Sequence, residues 1–375
     1  MRFLPLLIVL VPLHTALAST TTLMNSRINF DQDFISSDAN ARAMLIHDGS
    51  TRGLDQTTGA FSGNSPAKIA ERGLTIEAQR QSWDIVSKAV VEQNLSDAKL
   101  GLLAIQWGLS PAIAGSDGSF PNQNKEVTPT MYSIHNKSVF LLAAARSLQL
   151  LKHAVFPSAS VVEKQAFRSQ VNAAILALSK SARWMASSQN TQDFFLNAMA
   201  LGKQTNQLFF IATMLQISGV LTADKLLLAQ AKVRIDQTLT LLTESGIFPE
   251  GSGNPNGYIF DSGYQTVSLE LFAKYISTLQ ASPDKDLLIA KLQLATGRFL
   301  QTVRANGTIN TSKNSRTEAC GDIVPGYEIA KGTGIDRFPF RIRYLGKFLG
   351  QSDDYNIIAD SIMLAGVSYD HIGCH

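Results

Sequence analysis

A turn recurs along this chain, and each copy opens onto a long segment of helical periodicity. Asp117-Gly118-Ser119-Phe120-Pro121 returns as Ser245-Gly246-Ile247-Phe248-Pro249, and the same offset carries Val139 onto Val267, Leu141 onto Leu269 and Ala145 onto Ala273. A third echo follows at Asn306-Gly307-Thr308-Ile309, and Ala186 to Thr191 supplies a weaker turn between the first two. The repeating unit is about 60 residues long: a helix ending on a Gly turn, a polar rim loop, then a second helix. Glycine suits the turn because a helix commonly ends on a residue at positive φ, which glycine alone adopts cheaply.

Segments rich in Ala, Leu, Gln and Lys carry the helical period over Thr75 to Gln93, Asp97 to Leu109, Ser133 to His153, Ala159 to Ala186, Asn206 to Ser218, Ala223 to Glu244, Ser262 to Leu279 and Lys285 to Arg304. Few stretches alternate as strands do, so the expected class is all-α. Helical hairpins bury their apolar faces only by stacking on neighbours, in an open solenoid or a closed ring. Long rim loops at the same end of each hairpin favour an (α/α) toroid, complete or incomplete.

Residues 1–18 combine Arg2, an apolar run from Phe3 through Leu13 and an Ala-Leu-Ala ending at Ala18, the pattern of a secretory signal. Pro5, Pro12 and His14 interrupt the run, which falls short of the ~20 residues a membrane span needs. Residues 19–65 are polar and turn-rich and read as a lead-in, leaving 66–375 as the toroidal catalytic domain. The expected setting is secreted or periplasmic. A formal net charge of +3 is too small and too evenly spread to argue for nucleic acid. Cys320 and Cys374 are the two cysteines of an exported chain, and a bridge between them is expected, worth about 4 kcal/mol on the chain-entropy account. Two cysteines alone do not make a zinc site, and no cofactor is expected.

If every rim loop leads into an inner helix, the loop-to-helix junctions face one cleft. They hold Tyr132, His135 and Asn136; Gln204, Asn206 and Gln207; Glu250, Tyr258, Asp261, Tyr264 and Gln265; and Arg337, Arg341, Arg343 and Tyr344. Trp107 and Trp184 sit just before rim turns, on apolar helical faces suited to core packing. The junction set lacks the spacing of a metal site, a nucleophile elbow or a phosphate loop. It suits β-elimination from a uronic acid. There the carboxylate beside a weakly acidic C5 proton must be neutralised, the proton removed, and the departing oxygen protonated.

The stretch Gln204-Thr205-Asn206-Gln207-Leu208-Phe209-Phe210, followed by a hairpin and then Gly246-Ile247-Phe248-Pro249-Glu250 through Tyr264-Gln265 to Leu269-Glu270-Leu271, resembles the central block of the alginate lyases of polysaccharide lyase family 5. The Gly-rich turn before a tyrosine is also similar to that of the toroidal chondroitin and hyaluronate lyases. The resemblance implies an acidic polysaccharide as substrate, Asn206 as the group that neutralises its carboxylate, and Tyr264 as acid and also as candidate base. Gln207 stands where the alginate lyases carry a histidine, and glutamine is no base at neutral pH. His135, one repeat earlier, is the replacement expected. Gln207, Tyr132, Tyr258, Glu250, Arg337 and Arg341 are expected to contact substrate. Two other functions remain open: a glycoside hydrolase using Glu250 and Asp261 as its carboxylate pair, and a non-catalytic glycan-binding protein.

Overall fold

The computed structural model describes residues 30–48, 53–121, 131–202, 204–250, 260–304 and 337–369. Tyr258, the two cysteines, the expected signal segment and the echo at 306–309 lie outside them, as do the side chains of Tyr132 and Arg337. The described residues are mostly helical, with no β-strand among them and one isolated bridge between Leu54 and Phe61.

Two short helices come first, α1 (Phe30–Ser37) and α2 (Ala39–Asp48). They fall within the segment expected to be a polar lead-in, yet Phe34, Ile35, Ala41 and Leu45 are buried in the same core as the later helices. Their few apolar residues sit at helical spacing inside a polar stretch, which composition alone conceals. After α3 (Pro66–Arg72) and a 3-10 segment (Ile76–Gln81) come α4 (Ser82–Val91), α5 (Leu95–Leu109), α6 (Pro111–Ala114), α7 (Met131–His153), α8 (Val161–Ser187) and α9 (Gln189–Leu201). The chain continues through α10 (Thr205–Thr222), α11 (Lys225–Leu239), α12 (Ser262–Ser277), α13 (Pro283–Leu300), α14 (Arg337–Leu349) and α15 (Ser352–Tyr369).

Sequence chemistry sets the starts. Asn94, Ser188, Asp224, Asp261 and Ser282 each cap a helix by accepting backbone N–H bonds, and Ser160 with Glu163 forms a full capping box on α8. The weak turn expected near Ala186 to Thr191 is instead the short break between α8 and α9. The extra helix α9 is held to α11 by Arg234, which donates to Gln192 across 2.6 Å and lies over the Phe195 ring.

Helices pair as α4 with α5, α7 with α8, α10 with α11, α12 with α13 and α14 with α15. The first helices of the pairs also touch in succession, α4 to α7, α7 to α10, α10 to α12 and α12 to α14, and α2 contacts both α4 and α14. Helix α10 is buried on nearly every side, polar positions included, as expected for a helix surrounded by others.

The glycines of the repeated turns share one backbone conformation. Gly118 and Gly246 have φ of +83° and +81°, and a β-carbon on either would come within 2.7 Å of backbone, that of Ser181 on α8 or Leu294 on α13. Gly59 is a further copy, in Gly59-Ala60-Phe61, with φ of +88° and the Leu103 carbonyl of α5 only 2.5 Å from a β-carbon position. Phe61, Phe120 and Phe248, two residues after these glycines, are all buried. Each glycine lets a turn lie directly against a following helix.

Candidate functional site

A cavity of about 150 Å³ lies among α2, α4, α7, α10, α12 and α14. Its apolar lining comes from Leu45, Trp83, Val139, Leu142, Phe210, Val267, Leu271 and Phe340, and its charges from Arg80, Asp84, Arg146, Glu270, Lys274 and Arg341.

His135, Asn206, Gln207 and Tyr264 are not among the lining residues; they stand on the same helix faces, about one turn nearer the helix starts. On α7, His135 precedes Val139 by four residues and Leu142 by seven; on α12, Tyr264 has the same relation to Val267 and Leu271, at spacings of three and seven. On α10, Asn206 and Gln207 precede Phe210 by four and three. The His135 ring meets Phe210 edge-on, with centroids 5.4 Å apart, which ties the α7 and α10 faces together at this level.

The start of α10 is unusual. Gln204 occupies the N-cap in a left-handed conformation, φ +64°, and its side chain makes no capping bond. Thr205 donates both its N–H and its hydroxyl to the Pro249 carbonyl, at 3.2 and 2.6 Å, fixing α10 to the turn that carries Glu250. Gln204, Asn206 and Gln207 are all buried, and their side-chain oxygens have no hydrogen-bond partner among the described residues. The unused groups are acceptors, so these three buried amide oxygens form a polar wall suited to a ligand that donates hydrogen bonds, as a sugar hydroxyl does.

Other expected residues serve the fold. Asp261 caps α12 through the Tyr264 N–H at 3.1 Å. Gln265 accepts from Phe248 N–H at 3.0 Å and donates to the Gly246 and Ala295 carbonyls at 2.9 and 3.1 Å, so it holds the repeated turn in place. Glu250 is buried beside that turn and is not part of the cavity lining. Arg343 turns away from the cavity to Asp38 and Asp360. Trp184 packs under the Lys137 ammonium, 4.5 Å from its ring centroid.

The charged groups deeper in the cavity, Arg341 apart, were missed by sequence reasoning. Arg146 donates from Nε to Asp31 at 2.9 Å and lies 3.6 Å over the Trp83 ring. Glu270 accepts from Lys274 and, at 3.1 Å, from Arg341, which also reaches the Thr266 hydroxyl at 3.4 Å. Burial, then the Arg146 charge, holds the Lys274 ammonium well below its ordinary pKa, with Asp31 opposing. Burial works to raise the Asp31 carboxyl, but Arg146 and Lys274 outweigh it and keep it below the ordinary value. Their signal was present: Arg146 ends the apolar run Phe140 to Ala145, and Glu270 and Lys274 stand four apart within Leu269 to Tyr275. A charge on a core stripe persists only when paired.

Among the described residues no group of His, Cys, Asp and Glu is arranged to hold a metal, and no helix is long and apolar enough to cross a membrane. Compared with protein-family models, curated proteins and solved structures, the chain matches none.

Proposed function

We propose that this chain is an exported polysaccharide lyase that cleaves a uronate-containing polymer by β-elimination in the cavity of an (α/α) toroid. The succession of first-helix contacts, with α2 touching both α4 and α14, supports the ring. The observation that carries the activity is the stacking of His135, Asn206 and Tyr264 on the helix faces that line a cavity furnished with Arg80, Arg146 and Arg341.

In this reading the cationic groups and the amide N–H groups of Asn206 hold the uronate carboxylate and the charge that develops on it as the C5 proton leaves, while the α10 amide oxygens accept from sugar hydroxyls. His135 or Tyr264 takes that proton, the C4–O bond breaks as the C4=C5 double bond forms, and the Tyr264 phenol protonates the departing oxygen. No water enters, so the two products together weigh what the substrate weighed.

Hydrolysis by Glu250 and Asp261 is disfavoured because Asp261 is spent on a helix cap and both acids belong to the one loop that leads into α12. A hydrolase would draw instead on Asp84 and Glu270, which line the cavity from α4 and α12.

The test is to incubate the chain with alginate, polygalacturonate and hyaluronan, following the ultraviolet absorbance of unsaturated uronides and the product masses. Products lacking the mass of one added water, lost with Tyr264→Phe, support the lyase. Products that have gained water point to hydrolysis. Binding without either product leaves the glycan-binding reading.

A further inference from the structure

We infer that the cavity is a dead-end subsite for one terminal uronate ring, so that the chain is shortened from its reducing end one sugar at a time. The inference rests on the lyase reading and adds the mode of attack.

Size comes first. An engineered cavity of about 150 Å³ takes up benzene, so this space, which is open on one side, takes no more than one sugar ring with its substituents reaching towards the mouth. A second linked sugar lies outside the enclosed part.

The second observation is what lies behind the lining. Arg146, Lys274 and Phe340 face the cavity, and each is backed by buried groups that do not line it. Asp31 of α1 sits behind Arg146 at 2.9 Å. Phe34, also of α1, packs edge-on against Phe340 and Tyr344, with centroids 5.2 and 5.3 Å apart. The Tyr344 ring lies 4.6 Å from the Lys274 ammonium. Helix α1 therefore plugs the side of the cavity away from His135, Asn206 and Tyr264, and a polymer cannot thread past it.

Orientation follows from the chemistry. The ring that loses its C5 proton is the one whose C4–O bond breaks, so C4 and C5 must face His135 and Tyr264. Its C1 end then points inward to the plug. A ring whose C1 carries no further sugar is the reducing terminus. Elimination releases it as an unsaturated monosaccharide, while the oxygen of the broken bond stays on the penultimate sugar and makes a new reducing end.

The experiment uses the full secreted chain and the uronate polymer on which it is most active, native or with its reducing ends converted to open alditols by borohydride. Early products are resolved by mass and the polymer by its size distribution. We expect a monosaccharide of one uronate less one water as the principal early product, polymer length nearly unchanged, and turnover at least tenfold slower on the alditol-ended polymer. A ladder of unsaturated oligosaccharides with rapid loss of polymer length overturns the dead-end subsite while leaving the lyase reading intact. Unsaturated monosaccharide released equally fast from blocked polymer overturns the orientation. Products that have gained water, or no products at all, overturn the lyase reading and this inference with it.

Discussion

Arg146 on α7 and Asp31 on α1 meet across 2.9 Å, both almost fully buried, and the pair anchors the N-terminal helix behind the cavity. Asp31 also faces the buried Lys274, so one carboxylate answers two cations. Removing one partner of a buried pair leaves a charge without compensation, which costs about 3–5 kcal/mol. Asp31→Asn is expected to destabilise the fold by about that amount in urea denaturation. Asp31→Asn combined with Arg146→Met should cost less than the sum of the two singles.

The same carboxylate sets an acid limit. Its folded pKa lies below the ordinary 3.8, so the unfolded chain binds the proton first as pH falls. The stability it contributes is complete above the unfolded pKa and disappears as pH drops through the folded value. As pH falls from neutral through and below the ordinary value of 3.8, the wild-type chain should lose its advantage over Asp31→Asn. An advantage that stays constant over that range would refute the assignment.

Lys137 gives the opposite slope. Burial lowers its pKa to about 8 from 10.5, against the pull of Asp117, while its ammonium lies over Trp184. Between those two values the unfolded chain holds the proton that the folded chain has released, so this group's contribution to stability rises with pH. Lys137→Met keeps the stem on Trp184 and removes the charge. The variant should gain on the wild type near neutral pH, by on the order of 2 kcal/mol, and the gain should shrink towards pH 10.5. Paired urea titrations at the two ends of that range decide it.

The repeated turns allow a controlled comparison among glycines. Gly118, Gly246 and Gly202 all have positive φ, but a β-carbon meets backbone at 2.7 Å in the first two and nothing within 4 Å in the third. Gly202→Ala therefore bears only the conformational cost, about 1 kcal/mol. Gly118→Ala and Gly246→Ala must also push a turn off a neighbouring helix and should each lose at least about 2 kcal/mol. Equal losses at all three positions would show that the close approach is relieved at no cost.

Those turns also mark how far the sequence was legible. Gly118 and Gly246 stood out because a Phe-Pro follows each and helical periodicity frames them. Gly59-Ala60-Phe61 lacks the proline and lies in a polar stretch, so its likeness emerges only from the shared φ and the buried phenylalanine. Most helix boundaries fell within a few residues because caps such as Asn94, Ser160 and Asp224 are local signals. The wall of the site at Asn206 was readable as a loop-to-helix junction. Its floor was not, because Asp31, Arg146 and Lys274 are far apart in the chain, and only packing reveals that their charges compensate one another.

Arg341 and Arg343 were expected to act as one cluster, and the structure separates them. Arg341 lines the cavity and donates to Glu270 at 3.1 Å, whereas Arg343 is buried against Asp38 and Asp360, joining α14 to the segment between α1 and α2 and to α15. Arg341→Met leaves Glu270 paired with Lys274, so no carboxylate loses its last cation and the fold should lose less than the roughly 3 kcal/mol of a fully broken buried pair. The uronate carboxylate loses a cation, and KM for the polymer should rise at least tenfold, with a smaller fall in kcat. Arg343→Met leaves the Asp38 carboxylate without its cation, holding only the Ala41 N–H among the described residues, and costs about 3 kcal/mol in stability, with KM of the folded fraction unchanged. Steady-state kinetics beside urea denaturation on both variants separates the two roles. If Arg343→Met changes KM while Arg341→Met does not, the cationic wall of the site has been misplaced.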